Sequence, residues 1–322
     1  MENSMTLHQN KELFSELLIQ TAQMVGLPEV YIEKDYWVTY VLKRLSDSPY
    51  VDRAIFKGGT SLSKAYKLID RFSEDIDLAV ITNGESSNQI KTLIKKIEKN
   101  ILDGNFQEMN DLITSKGSAF RKTVHTYPVS YEGNFGHAYE HIVIELNAFA
   151  KPHPFSPKKI TTYINDFLEV QAPQMIKEYE LEPFDVNVLD YRRTFCEKLS
   201  AVARATFEAD KEFTELKNKI RHLYDIYYLM QEQEIQTFLV SDEFADMIQN
   251  VREDDIDQFQ GTWNTQALHK ALIFSNTQEC INEVRAYYAS TFSDLVYGSI
   301  PNISDVQTEV EKVAMVLKDK FL

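Results

Sequence analysis

The segment Phe56–Val80, FKGGTSLSKAYKLIDRFSEDIDLAV, constrains this chain more than any other stretch. RAIF, ending at Phe56, reads as a short apolar strand; TSLSKAYKLI has the composition of a helix; IDLAVI reads as a second strand. A chain that needed only a strand–helix–strand unit has no reason to set Asp75 and Asp77 inside the apolar run that ends at Val80. Strand side chains alternate between faces. The two carboxylates therefore share one face, with Cβ atoms about 6–7 Å apart, and Ile76 points the other way.

Two such oxygen donors can share a hard divalent cation, with water and substrate phosphates completing its shell. Without a cation they repel and raise one another's pKa. Taken alone, the pair also fits a strand end carrying solvated acids. The residues before it favour the cation. Gly58 and Gly59 allow a sharp turn and a close backbone approach to a ligand. Thr60 and Ser61 place hydroxyls at a helix N-terminus, where free N–H groups favour a phosphate. Lys64, one turn on, reads equally as a phosphate ligand or a solvated lysine.

Elsewhere the pattern divides the chain. Residues 7–26 and about 30–45 read as helices, and residues 88–102 as a basic amphipathic helix with Ile90, Leu93, Ile94, Ile97 and Ile101 on its apolar side. Arg121–Tyr131 and His141–Phe149 read as two strands of a hairpin joined by a glycine-containing loop. KPHPFSPKK, residues 151–159, reads as a loop because of its three prolines, and Phe184–Leu189 alternates like a last strand. From Tyr191 onward the periodicity is helical, and Gly261 and Gly298 are the only glycines there. The expectation is an α+β protein with a mixed-sheet core flanked by helices over about 1–189, followed by a helical domain over about 190–322.

Charge bounds the partners. With 34 Lys and Arg against 49 Asp and Glu, a net charge of −15 excludes a chain that coats nucleic acid through an overall positive footprint. A nucleic-acid substrate then needs a local basic surface. Lys91, Lys95, Lys96 and Lys99 are the first candidates; Lys116, Arg121, Lys122, Lys158 and Lys159 are further ones, though a solvated helix face explains the first group as well. Cys196 and Cys280 lack metal-site spacing and read as buried free thiols. The opening residues do not resemble a secretory leader and no run is apolar enough for a membrane helix, so a cytoplasmic location with no membrane partner is expected.

FKGGTSLSKAY…RFSEDIDLAV resembles the first motif of the AbiEii/AbiGii nucleotidyltransferase toxins, a branch of the DNA polymerase β-like nucleotidyltransferase superfamily. Fourteen residues lie between Thr60 and Asp75, a longer spacing that is itself a habit of this branch. YIEKDYWVTYVL (Tyr31–Leu42) resembles the family's N-terminal helix, and its Glu33-Lys34-Asp35 triplet reads equally as a surface cluster. TFCEKLSAVAR (Thr194–Arg204) resembles the segment carrying an active-site lysine, here Lys198, and IRHLYDIYYL (Ile220–Leu229) the one carrying a further aspartate, here Asp225. The resemblance thus spans Tyr31 to Leu229 and leaves the last ninety or so residues without a motif.

The resemblance implies a nucleotidyltransferase fold and transfer of NMP from an NTP to an acceptor hydroxyl. It implies that Asp75 and Asp77 bind Mg²⁺ or Mn²⁺, and that Gly58, Gly59, Thr60, Ser61 and Lys64 hold the triphosphate. Lys198 reaches a triphosphate oxygen, or Asp225 when no nucleotide is bound. Asp225 orients Lys198, contacts the nucleotide or deprotonates the acceptor. Glu145 stands where the superfamily often has a third carboxylate, with Glu140 and Asn147 as neighbours open to the same role, and Arg204 and Arg221 are candidate phosphate ligands. The family further implies a toxin with a cognate antitoxin, and the tRNA 3′ acceptor end as substrate. A protein or small-molecule acceptor, such as an antibiotic, and a non-catalytic nucleotide-binding module remain open alternatives.

Overall fold

The computed structural model describes residues 6–321 apart from 72, 74, 110, 131–139 and 260. The chain forms two compact units. The first is Met1–Ala65 with Phe72–Leu189, and the second is Tyr66–Arg71 with Asp190–Leu322.

In chain order the first unit contains α1 (Lys11–Val25), α2 (Glu29–Ser46), β1 (Ala54–Lys57), α3 (Gly58–Lys64), β2 (Asp75–Val80), α4 (Ser87–Ile101), β3 (Gln107–Met109), β4 (Ser115–Lys116), β5 (Phe120–Thr126), β6 (His141–Asn147), β7 (Phe155–Ile160), α5 (Tyr163–Gln171), α6 (Gln174–Glu178) and β8 (Phe184–Leu189). The strands form one mixed sheet in the order β3-β5-β6-β2-β1-β8-β7, with β4 beside β5. β2 runs parallel to β6 and antiparallel to β1, and β1 runs parallel to β8. Ile76, Leu78, Ile144 and Leu146 are wholly buried, as are Ile97 and Ile101 of α4. Glu98 of α4 accepts hydrogen bonds from Arg121 Nε (2.6 Å) and Thr123 Oγ1 (2.6 Å) of β5, so α4 lies on the sheet face that those two residues share. Residues paired across a ladder share a face, which puts Ile144 and Leu146 on this side too.

The second unit, beyond Tyr66–Arg71, contains α7 (Tyr191–Phe207), α8 (Thr214–Asn218), α9 (Ile220–Gln231), α10 (Gln233–Leu239), α11 (Asp242–Gln258), α12 (Leu272–Ser275), α13 (Thr277–Tyr287) and α14 (Ile303–Phe321). α7 packs on α9 and α11, and α14 packs on α9. Cys196 and Cys280 are buried and free. An α+β sheet protein followed by helices is thus the observed class.

Three local expectations are corrected. Residues 155–160 are strand β7, not loop: β7 pairs only with β8 at the sheet's edge, where Pro157 needs no second partner for its missing N–H. The helix after the glycine turn stops at Lys64; Lys67 is left-handed (φ 56°) and Tyr66–Arg71 joins the second unit, so tertiary packing overrides helical composition. The Glu33-Lys34-Asp35 triplet is not a surface cluster: Glu33 and Lys34 are fully buried. β5 and β6 pair antiparallel as a hairpin requires, while most of the loop expected between them, 131–139, lies outside the described residues.

Candidate active site

The register of four strands builds one row of charge across the first unit. Lys57 of β1 pairs with Asp77 of β2, Asp77 with Glu145 of β6, and Glu145 with Lys122 of β5. The row reads plus, minus, minus, plus, on the face opposite the one α4 covers. Two carboxylates directly opposite in a ladder destabilise it, so nothing in sheet formation itself asks for Asp77 beside Glu145. Asp75, two residues before Asp77, lies on the same face. Burial first, then the charges of Glu145 and Asp75, push the Asp77 carboxyl up to about 8. Lys122 Nζ lies 3.4 Å from Glu145 Oε2. Burial pulls this ammonium down, but Asp75, Glu145 and Asp77 together outweigh it and leave it raised.

The glycine turn is fastened to both aspartates. Gly58 is left-handed (φ 79°), and a Cβ there would stand 2.1 Å from Asp77 Oδ2. Glycine is thus required twice, by conformation and by the approach of the carboxylate. Thr60 Oγ1 donates to the Asp75 carbonyl (2.5 Å) and lies 2.9 Å from Ser73 Oγ. Ser61 Oγ donates to the Gly58 carbonyl (2.9 Å). Both side chains are buried, so their hydroxyls hold the turn in shape instead of facing an open phosphate site. Lys64 is buried and ion-paired with Asp35, whose other oxygen accepts the Tyr163 N–H (3.0 Å). It is therefore not a solvated lysine.

The second unit holds the other predicted pair. Lys198 Nζ is 2.6 Å from Asp225 Oδ2. Arg71 grips the same carboxylate with both arms of its guanidinium, Nε to Oδ1 at 2.6 Å and Nη2 to Oδ2 at 2.7 Å. Asp225, Arg71 and Lys198 are 0%, 3% and 4% exposed. Burial opposes the charge on Asp225, but Arg71 and then Lys198 hold its carboxyl well below the usual range. A carboxylate held so firmly ionised is a poor proton acceptor, and the geometry seen is that of an anion gripping Lys198 and Arg71. Near it on α9, His222 is kept neutral by burial and by Lys198 and Lys219.

The other candidates have partners or placements of their own. Arg204 is paired with Asp255 (2.5 Å) and stacks over Phe259, and Arg121 is paired with Glu98. Lys116 pairs with Glu108 and Lys159 with Asp185. Glu140 is exposed, Asn147 is buried on the Glu145 face, and Arg221 is half-buried. Lys91, Lys95, Lys96 and Lys99 are exposed on α4.

The donor set suits a hard cation. Among the described residues no three His, Cys, Asp or Glu side chains are already drawn together as a closed metal cage. The half-buried aspartate pair is instead a partial set, the usual form for Mg²⁺, which takes one or two carboxylates and fills its shell from water and phosphates.

A family model described as nucleotidyl transferase AbiEii toxin, type IV toxin–antitoxin system, matches residues 40–312. The chain belongs to the AbiEii family. It is accordingly a nucleotidyltransferase of a family of toxins, each half of a pair with an antitoxin. The match runs well past Leu229, so the C-terminal helices are part of the AbiEii architecture although no motif marks them. An H. pylori crystal structure, provisionally assigned as a nucleotidyltransferase, is similar at 15% identity and a TM-score of 0.45, covering 91% of this chain and 97% of its own. No curated protein matches the chain. Among the described residues no helix is long and apolar enough to cross a membrane.

Sequence reasoning missed Arg71 and placed Lys122 only in a diffuse basic surface. Lys122 was recoverable in principle: pairing the two predicted strands in register sets it opposite Glu145. Nothing local to RFSEDID announces that Arg71 reaches a carboxylate 154 positions on.

Proposed function

We propose that this AbiEii-family enzyme transfers NMP from an NTP to an acceptor hydroxyl at the 3′ end of tRNA, in the cytoplasm, with Asp75 and Asp77 holding Mg²⁺. The observation that carries this reading is the direct pairing of Asp77 with Glu145, beneath a turn whose glycine leaves no room between Asp77 and the backbone. When bound, the cation supplies charge to the triphosphate and to the departing pyrophosphate.

The protein's own groups have separable tasks. Asp75 and Asp77 hold the cation, and the Gly58–Gly59 backbone admits the triphosphate close to them. Glu145, steadied by Lys122, takes the proton of the acceptor hydroxyl as its oxygen bonds to the α-phosphorus and the α–β anhydride bond breaks. Lys198 is the triphosphate ligand that the family resemblance assigns, and Asp225 orients it.

Incubating the protein with α-labelled NTPs, Mg²⁺, total tRNA and a protein extract tests the reading. Label is expected on tRNA, and Asp77→Ala is expected to abolish it. Label confined to protein would contradict the tRNA assignment, and equal labelling by Asp77→Ala would contradict the site.

A further inference from the structure

The carboxylate that meets Lys198 is itself fixed by Arg71, and Arg71 is fixed by a stretch near the end of the chain. Arg71 lies outside any helix, on the segment 66–71. Its backbone forms an antiparallel bridge with Val296. The N–H groups of Tyr297 and Gly298 both donate to the Asp70 carbonyl, at 3.1 and 3.0 Å. Gly298 is packed so closely that a Cβ there would lie 2.3 Å from Asp70 Cβ. The next residue is held from the other side: Tyr228 Oη donates to the Ser299 carbonyl at 2.6 Å. Tyr228 stands three positions after Asp225 on α9, on the same helical face. At the start of the segment, the Tyr66 ring packs on Tyr191 (centroids 5.1 Å apart), the first residue of the helix that carries Lys198.

We infer that Arg71 is a positioning residue for Lys198, acting through Asp225, and that residues 296–299 form a strap that holds Arg71 in place. The inference rests on the assignment of Lys198 to the triphosphate. A bidentate guanidinium fixes both the position and the plane of a carboxylate, which an ammonium, as a point charge, does not. With Oδ1 and one side of Oδ2 taken by Arg71, the direction in which Oδ2 receives Lys198 is set. The strap gives a task to a part of the chain that carries no motif.

The test is a double-mutant cycle on full-length protein, reading the apparent Kd for each of the four NTPs with Mg²⁺, the KM and kcat for labelling of total tRNA, and the melting temperature. Arg71→Lys keeps the charge and loses the fork. It is expected to weaken NTP binding about 10–100-fold, the usual loss when a partner that orients an active-site ligand is removed. The loss should fall on NTP Kd and KM more than on kcat, with little change in melting temperature. In a Lys198→Ala background the same substitution should add almost nothing, because the two act on one interaction. Gly298→Ala leaves all three side chains intact and should shift NTP affinity the same way by a smaller factor, about 3–10-fold. It also serves where an Arg71 variant does not fold. Additive losses in the cycle, or wild-type NTP affinity in both Arg71→Lys and Gly298→Ala, would overturn the inference. If Lys198→Ala alone binds and transfers NTP like wild type, the assignment of Lys198 has failed and the inference falls with it. That outcome is distinct from a Lys198-dependent enzyme indifferent to Arg71.

Discussion

Two aspartates in this molecule sit in opposite surroundings. Asp77 lies in a row with another carboxylate directly beside it and a third two residues away, and its carboxyl is pushed up to about 8. Asp225 lies between a guanidinium and an ammonium, and its carboxyl is held far down. Asp225 is fully buried and Asp77 half-buried, and burial raises the carboxyl in both cases, so the sign of the neighbouring charge sets the opposite directions. The first arrangement sets three carboxylates, Asp75, Asp77 and Glu145, against two lysines, Lys57 and Lys122, and under the proposed function a cation would complete it. The second already has its cations and uses the carboxylate to hold them still. Within one AbiEii chain, the same side chain thus meets an excess of carboxylates at one place and two cationic side chains at the other, which is why the proposed function gives a metal to the first and an anchoring task to the second.

The contrast breaks most visibly if Asp77 is expendable. Asp77→Ala is expected to lower transfer by about 10³-fold, the scale seen when one group that stabilises transition-state charge is removed. Gly58→Ala should come next. It places a Cβ 2.1 Å from Asp77 Oδ2 and puts alanine at φ 79°, so activity should fall about 10²-fold. The strain of about 1–2 kcal/mol should show as a lower melting temperature. Asp225→Asn sharpens the other half of the comparison. It removes the carboxylate that both buried cations, Arg71 and Lys198, hold, a change that costs about 3–5 kcal/mol in such settings, measurable by urea unfolding. Lys122→Gln should have the smallest effect, about tenfold on kcat with NTP affinity nearly intact, since it steadies Glu145 without touching the triphosphate.

The pH dependence separates the sites further. Asp77's folded value of about 8 lies above its ordinary 3.8. Between those values the folded, metal-free protein keeps a proton that the unfolded chain has lost, so stability falls as pH rises through the window. Asp225 has the opposite sign. Its contribution is fully present above its ordinary value of 3.8 and is lost only as pH falls toward its lower folded value. Asp77→Asn should therefore stabilise the metal-free protein at pH 8, and Asp225→Asn should destabilise it at every pH above 4.

Much of this was legible before the fold was known, for local reasons. Alternation in IDLAVI puts Asp75 and Asp77 on one face, and the glycine pair marks the turn. The apolar stripe of residues 88–102 marks α4, and the shift to helical periodicity follows the last strand, Phe184–Leu189. What escaped depends on partners distant in sequence. The helix after the turn ends at Lys64 because Tyr66, Asp70 and Arg71 find partners in the second unit. In the sequence Lys64 reads equally as a phosphate ligand or a solvated lysine and Glu33-Lys34-Asp35 equally as a surface cluster, since no local pattern reveals that Asp35 meets Lys64 or that Glu33 accepts the Ser130 N–H. Pro157 looks like a loop residue until the edge position of β7 is known. Thr60 and Ser61 were placed in the right turn, but their hydroxyls reach into the fold.

The most direct test of the contrast is the melting temperature as a function of Mg²⁺ concentration at pH 6, 7 and 8, in wild type, Asp77→Asn and Arg71→Lys. Wild type should be stabilised by Mg²⁺, increasingly so at higher pH as the cation takes the place of a proton on Asp77. Arg71→Lys should show the same response, and Asp77→Asn almost none. An equal Mg²⁺ response in wild type and Asp77→Asn, or one that does not vary with pH, would contradict the assignment of Asp77 as the residue built to receive a cation.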